Sequence, residues 1–309
     1  MLDLREFARR LRVRVFSNDI PDGVAHPYIL LHVEDYQYGL ARWGRFAELI
    51  MLDIMVHRFQ HVGEYPPRFI HQYIRLCRRL AERLKDRFIA VLPDCPFDPR
   101  YFHGSQYPDN VRKTYMYHLW TLKSLEHVFR KTGSKLVLVV QHRVNLYVDR
   151  GNKLNESARL DIERSCIIVE DLLSFLHDEN VVYGIGVGSL CVNRSPRLIA
   201  KVVSIVAEWF RGFTIHGFGT DVRTLQYLAN NVLDRYSFDT TGWTKPTKPA
   251  QLLIGADKRR SCRDSVERTI YFIAGLATIA KYCNQQDIYD ELFELAYEYA
   301  VRRLSLIHI

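Results

Sequence analysis

Apolar runs rich in β-branched residues recur along the chain, and each is followed by a longer stretch with helical spacing of its apolar positions. The runs are YILLHV (28–33), AELIMLDIMV (47–56), FIAVLPD (88–94), KLVLVVQ (135–141), VVYGIGVG (181–188), FTIHGFG (213–219) and RYSFD (235–239). Continuous rather than alternating hydrophobicity marks strands buried on both faces, the habit of parallel sheets. Between them the spacing predicts helices over Pro67 to Leu84, Asn110 to Arg130, Ser157 to His177, Ser195 to Phe210 and Asp221 to Leu233. This βαβα rhythm predicts one α/β domain spanning residues 1–303. With QLLIG (251–255) as a weak eighth strand, count and size favour a (β/α)8 TIM barrel over an open doubly wound sheet. The helical patterns after Ser261 would close the barrel or pack on its outside. The last six residues, Leu304 to Ile309, read as the translation of a transposon-end sequencing adaptor, so they carry no fold argument.

Composition narrows the class. The 309 residues are 48% apolar, enough for a full core, and no run is long and apolar enough to suggest a membrane span or a secretory leader. Six scattered cysteines without a C-x-x-C pair fit free thiols in a reducing compartment, so a cytoplasmic protein is expected. A formal charge of +8 is compatible with a polyanionic partner. No G-x-G-x-x-G turn follows the first strand and there is no P-loop, which argues against a dinucleotide or nucleoside triphosphate cofactor; no cofactor is expected.

The polar residues fall at strand ends. Asp53 ends LIMLD, Asp94 ends IAVLPD, Gln141 ends LVLVVQ, Gly186 and Gly188 end VVYGIGVG, His216 lies in FTIHGFG and Asp239 ends YSFD. In a barrel the C-terminal strand ends converge on one mouth, so residues remote in sequence would meet there. Each also fits a local role when taken alone. A strand-end Asp often caps the next helix, and Asp239 precedes the turn-forming Thr240, Thr241 and Gly242. Gln141 fits a loop hydrogen bond, His216 a core histidine, and the glycines relief of crowding.

The ordered set LDIMVHRF (52–59), LPDCPFDP (92–99), VVQHR (139–143), GIGVGSLC (184–191), IHGFG (215–219) and SFDTTGW (237–243) resembles the guanine transglycosylases. These are (β/α)8 enzymes that exchange a guanine in a polynucleotide for a 7-deazaguanine. The likeness runs from about Ile50 to Trp243 and is strongest to the DNA-modifying branch. It implies that Asp239 is the nucleophile and Asp53 the second catalytic acid. Asp94, Gln141 and His216 would belong to the base-binding set, with backbone at Gly186, Val187, Gly188 and Ser189 approaching the base. Two motifs of the tRNA-modifying branch are missing: its D-S-G-G-F-Q loop, where Ile54, Met55 and Val56 follow Asp53, and its clustered zinc cysteines, in whose place stand isolated Cys262 and Cys283. No zinc is therefore expected.

Such chemistry needs these residue types. Breaking an N-glycosidic bond through an oxocarbenium-like transition state calls for a carboxylate able to trap the sugar, and for a second acid to protonate the departing base. The apolar neighbours Leu52, Ile54 and Met55 would favour a protonated Asp53. A carboxylate at Asp94 suits the paired N–H donors of guanine, and the amide of Gln141 suits a carbonyl. A duplex base is out of reach unless flipped, and Phe218, Tyr101 or Phe102 are candidates to stack on it.

Arg58, Arg100, His142, Arg143, Lys245 and Lys248 are expected to contact the polynucleotide from loops at the mouth, whereas the basic run RLCRRLAERLKDR reads as a solvated helix face. The expected partners are DNA and a 7-deazaguanine base such as 7-cyano-7-deazaguanine, with an accessory protein possible for opening the duplex. The rivals are a tRNA-guanine transglycosylase, a hydrolase that only releases the base, and an inactive nucleic-acid-binding subunit.

Overall fold

The computed structural model of the chain describes residues 1–54, 65–95, 109–142, 154–190, 195–240 and 265–304. Eight parallel strands form one sheet: β1 (Arg14–Phe16), β2 (Tyr28–His32), β3 (Leu49–Asp53), β4 (Phe88–Val91), β5 (Lys135–Val140), β6 (Val182–Val187), β7 (Thr214–Gly217) and β8 (Tyr236–Asp239). Their order, β1-β8-β7-β6-β5-β4-β3-β2, returns on itself. Ser17, just past β1, bridges to Ile29 of β2, with the Ser17 N–H donating to the Tyr28 carbonyl at 3.3 Å and the Leu30 N–H to the Ser17 carbonyl at 2.9 Å. The fold is a (β/α)8 barrel.

One barrel strand has no counterpart among the runs picked out by the sequence pattern. The eighth barrel strand among the described residues is Arg14–Phe16, whereas 251–255 lies outside them. In this segment Val13 and Val15 face the helical shell while Arg14 faces Tyr183 across the barrel floor, so charged and apolar positions alternate. An additional ladder pairs Leu2–Asp3 with Val24–Ala25.

The helices are α1 (Arg5–Arg10), α2 (Tyr36–Trp43), α3 (Pro67–Leu84), α4 (Asp109–Thr132), α5 (Glu156–Ser174), α6 (Pro196–Trp209), α7 (Asn230–Leu233), α8 (Ser265–Tyr282) and α9 (Gln286–Leu304). Local chemistry sets several starts. Asn155 caps α5 by accepting from the Ala158 N–H, Ser195 caps α6 by accepting from the Leu198 N–H, and Pro67 and Pro196 occupy first-turn positions where no N–H is needed. The helix expected over 221–233 is instead a 3-10 segment, Val222–Tyr227, and the single turn of α7. Asp221 accepts from the Arg223 N–H, and extended backbone at Leu228 and Ala229 interrupts the run. Since β1 closes the sheet, α8 and α9 pack outside it. Phe272 of α8 meets the His26 ring edge-on at 5.3 Å, and Glu291 of α9 pairs with Arg10 of α1. Leu304 ends α9, and 305–309 lie outside the described residues.

Two apolar clusters follow from strand alternation. Val15, Ile29, Leu31, Leu52 and Phe238 point to the helical shell, whereas Phe16, Tyr28, Leu30, Met51, Ile89, Val137 and Val139 fill the barrel interior.

Candidate active site at the barrel mouth

The inward positions of each strand, read two by two, pass from apolar to polar at the C-terminal end. Leu49 and Met51 precede Asp53, Val137 and Val139 precede Gln141, and Ser237 precedes Asp239. Because successive side chains alternate faces, a strand that fills the barrel with Met51 must aim Asp53 into the same interior, one layer higher. This layer is the mouth.

On one side of it, Asp94, Gln141 and Ser189 form a buried chain. The Ser189 hydroxyl donates to Gln141 Oε1 at 2.9 Å, and Gln141 Nε2 donates to Asp94 Oδ2. The three residues are 7%, 3% and 6% exposed for Ser189, Gln141 and Asp94. Burial pushes the Asp94 carboxyl up to about 7; the Gln141 hydrogen bond opposes the rise and the charge of Asp53 adds to it. Asp53 and Asp94 are thus electrostatic neighbours, and Tyr65 lies close enough that burial first, then Asp94 and Asp53, hold its phenol well above the ordinary range. Ser189 reaches Gln141 from a left-handed backbone, φ 56°, a conformation that costs a non-glycine residue free energy and clusters at functional turns.

Gly188 is required for this chain. A Cβ there would run into the Gln141 amide, just as one at Gly186 would strike the Phe218 ring and one at Gly184 the Thr214 carbonyl. The close approaches at these glycines are to the protein's own atoms, so each position relieves crowding on its strand. Val187 is fully buried against the shell and offers its backbone only, the carbonyl accepting from the Phe218 N–H at 3.2 Å.

On the other side stands Asp239. Its Oδ1 accepts from the Gly219 N–H at 2.9 Å, and glycine at 219 allows the φ of 61° that turns this N–H toward the carboxylate. His216 Nε2 lies 3.5 Å from the same oxygen. The register of β7 and β8 pairs His216 with Ser237, whose hydroxyl bonds His216 Nδ1 at 3.0 Å. His216 is fully buried, edge-on to Phe218 at 4.7 Å and to Phe16 at 5.6 Å. Its ring therefore stands behind Asp239. The partly exposed Phe218 is the ring available above it.

No protein-family model and no curated protein sequence matches the chain. The geometry itself must carry the function. It brings Asp53, Asp94, Gln141, Ser189, His216 and Asp239 to one mouth. Arg58, Arg100, Arg143, Lys245 and Lys248, together with Tyr101 and Phe102, lie outside the described residues. His142 is 1% exposed, which leaves no ring edge for a phosphate; it follows the inward Gln141 by one residue and so points to the other face of the strand. Sequence reasoning missed Ser237, Gly219 and Tyr65. The period-2 pattern of YSFD contains the signal for Ser237, two residues before the acid and on its face.

Among the described residues no group of three or more His, Cys, Asp or Glu is placed to hold a metal ion, and Cys262 lies outside them. Likewise, no helix among them is long and apolar enough to cross a membrane.

Proposed function

We propose that the chain is a base-exchange glycosyltransferase that replaces guanine in DNA with a 7-deazaguanine through a covalent Asp239 intermediate. One feature supports this reading above all: a carboxylate braced by a backbone N–H and a buried histidine shares a barrel mouth with two further acids, one of them bonded to an amide. Hydrolysis alone would need only two acids; a third acid paired with an amide suits recognition of a base by its edge.

In this reading the flipped nucleotide presents its sugar to Asp239. An Asp239 oxygen bonds to C1′ as the bond from C1′ to guanine N9 breaks, the electron pair leaving with the base and Asp53 supplying its proton. The incoming 7-deazaguanine then gives its N9 proton to Asp53. Its nitrogen bonds to C1′ and the Asp239 ester opens, which restores both carboxyl groups. Two inversions at C1′ leave the sugar configuration unchanged. Asp94 accepts from the paired N–H groups of the bound base, and Gln141, held in orientation by Ser189, uses its second amide hydrogen on the base carbonyl.

The test is release of labelled guanine from DNA and, separately, from tRNA, each with unlabelled 7-cyano-7-deazaguanine, followed by mass analysis of the nucleosides. Release with incorporation from DNA, lost in Asp239→Asn, is expected. Release without incorporation would make the protein a hydrolase, incorporation into tRNA alone would change the substrate, and no release from either would remove the catalytic reading.

A further inference from the structure

Several surface arginines among the described residues are matched to carboxylates. Arg5 pairs with Asp3, Arg10 with Glu291, Arg12 with Asp234, Arg159 with Glu163 and Arg223 with Asp221. Helix α3 concentrates arginines that are not. Its exposed face carries Arg68, Arg75, Arg78, Arg79 and Arg83 against a single acid, Glu82, and none of the five has an ion-pair partner. Leaving this many cations unmatched on one helix costs mutual repulsion unless something anionic covers it.

The spacing gives that face a direction. Arg68, His71, Arg75 and Arg78 recur at intervals of three and four residues and form one line. With Trp120 and Ser124 of α4 they enclose a groove of about 590 Å³ with no carboxylate in its wall. Arg78 is fixed there by a 2.9 Å hydrogen bond to the Ser124 carbonyl, and the half-buried Trp120 ring stands edge-on to His71 at 4.7 Å. In a (β/α)8 barrel each helix returns antiparallel to its strand, so Arg68 stands at the mouth end. Arg78 is about 15 Å down the outer wall by the rise per residue of an α-helix.

We infer that the α3/α4 groove is a track for the phosphate backbone of a polynucleotide whose target base occupies the mouth. The identity of the occupant rests on the base-exchange reading; the groove's chemistry stands apart from it. Guanidinium forks in line suit successive phosphates, and a half-buried tryptophan among them suits the face of an unpaired base. An acidic protein surface would find the cations but has no particular use for the ring. The basic run that sequence alone assigns to a solvated face is, on this account, the wall that holds the strand.

The experiment measures anisotropy of labelled DNA, single-stranded with and without guanine and duplex, and of matching RNA, over a series of salt concentrations. Wild type is compared with Arg68→Ala/Arg75→Ala, two exposed side chains with no hydrogen-bond partner to lose. The double variant should bind roughly tenfold or more weakly, and the slope of log affinity against log salt should flatten by about two. Arg130→Ala/Lys131→Ala, the same charge change at the far end of α4, should bind as wild type. Arg68→Lys/Arg75→Lys should keep the wild-type slope, which separates charge from folding.

An unchanged slope in the double variant, an equal loss in the α4 control, or no strand binding by wild type would each overturn the track. So would loss of binding to anionic vesicles or an acidic peptide with DNA binding intact. A flattened slope in a protein that exchanges no base would uphold the track and sink the base-exchange reading. Exchange with an unchanged slope would do the reverse.

Discussion

The lower and upper halves of the barrel interior are built from the same strands and differ in what they bury. Below, Phe16, Leu30, Met51, Ile89 and Val137 pack an apolar plug that holds no carboxylate, and the one charge at its floor, Arg14, meets the Tyr183 hydroxyl and ring. Above it and toward the mouth, the inward or loop positions carry Asp53, Asp94, Gln141, His216 and Asp239, and burial there is matched by hydrogen bonds: Ser189 to Gln141 to Asp94, and Ser237 to His216 beside Asp239. The lower half is what any (β/α)8 sheet needs in order to close; the upper half keeps a carboxyl at about 7, a state that costs stability at neutral pH. Polar burial of this kind is retained where it serves chemistry.

The comparison predicts opposite responses to substitution. The largest effect is expected at the mouth: Asp239→Asn should lower base exchange by a factor on the order of 10⁴ or more, with little change in melting temperature, as a steady-state assay beside calorimetry would show. Next, Ile89→Ala in the plug should cost about 2–5 kcal/mol of stability in urea denaturation, while the activity of the molecules that stay folded is kept.

Asp94→Asn should separate the two halves by pH. The folded chain holds the Asp94 proton up to about 7, whereas the unfolded chain releases it near the ordinary 3.8. The stability this group contributes is therefore complete below about 3.8 and is lost as pH rises through about 7. The amide variant escapes that loss. It should melt higher than wild type at pH 8, by up to about 4 kcal/mol, with the difference vanishing toward pH 4, and it should bind the incoming base more weakly. Buried His26 behaves in the opposite sense. Burial pulls it down to about 4, so its contribution is present above 6.5 and lost as pH falls through 4, whatever happens at the mouth.

Smaller effects sharpen the account of the supports. Gly188→Ala should cost about 1–3 kcal/mol by pushing a methyl into the Gln141 amide. Losing the Gln141 bond removes an influence that lowers the Asp94 carboxyl, so the pH dependence of base binding should move to higher pH. Ser237→Ala is the mildest: it frees His216 from one hydrogen bond, for about 0.5–1.5 kcal/mol, and should slow exchange severalfold with KM for DNA unchanged.

Much of this was legible in the chain. Runs such as LVLVV and LIML leave few alternatives to a doubly buried strand, and an acid two residues beyond an inward methionine must point inward too. Arg14–Phe16 escaped notice because it is short and interrupted by arginine, although its alternation is a strand signal of its own. The Ser189, Gln141 and Asp94 chain links residues 47 and 48 positions apart, and no local pattern encodes which side chains meet across strands. His142 illustrates a related limit: beside the inward Gln141, its one-residue offset sends it to the opposite face, where it is buried.

The most direct test of the central claim is a search for the covalent intermediate. Wild-type protein would be incubated with labelled DNA in the absence of exchangeable base, denatured, digested and analysed by mass. The account predicts a DNA adduct on the peptide that contains Asp239, absent from Asp239→Asn and discharged when 7-cyano-7-deazaguanine is added before denaturation. An adduct on another residue, or base exchange persisting in Asp239→Asn, would contradict it.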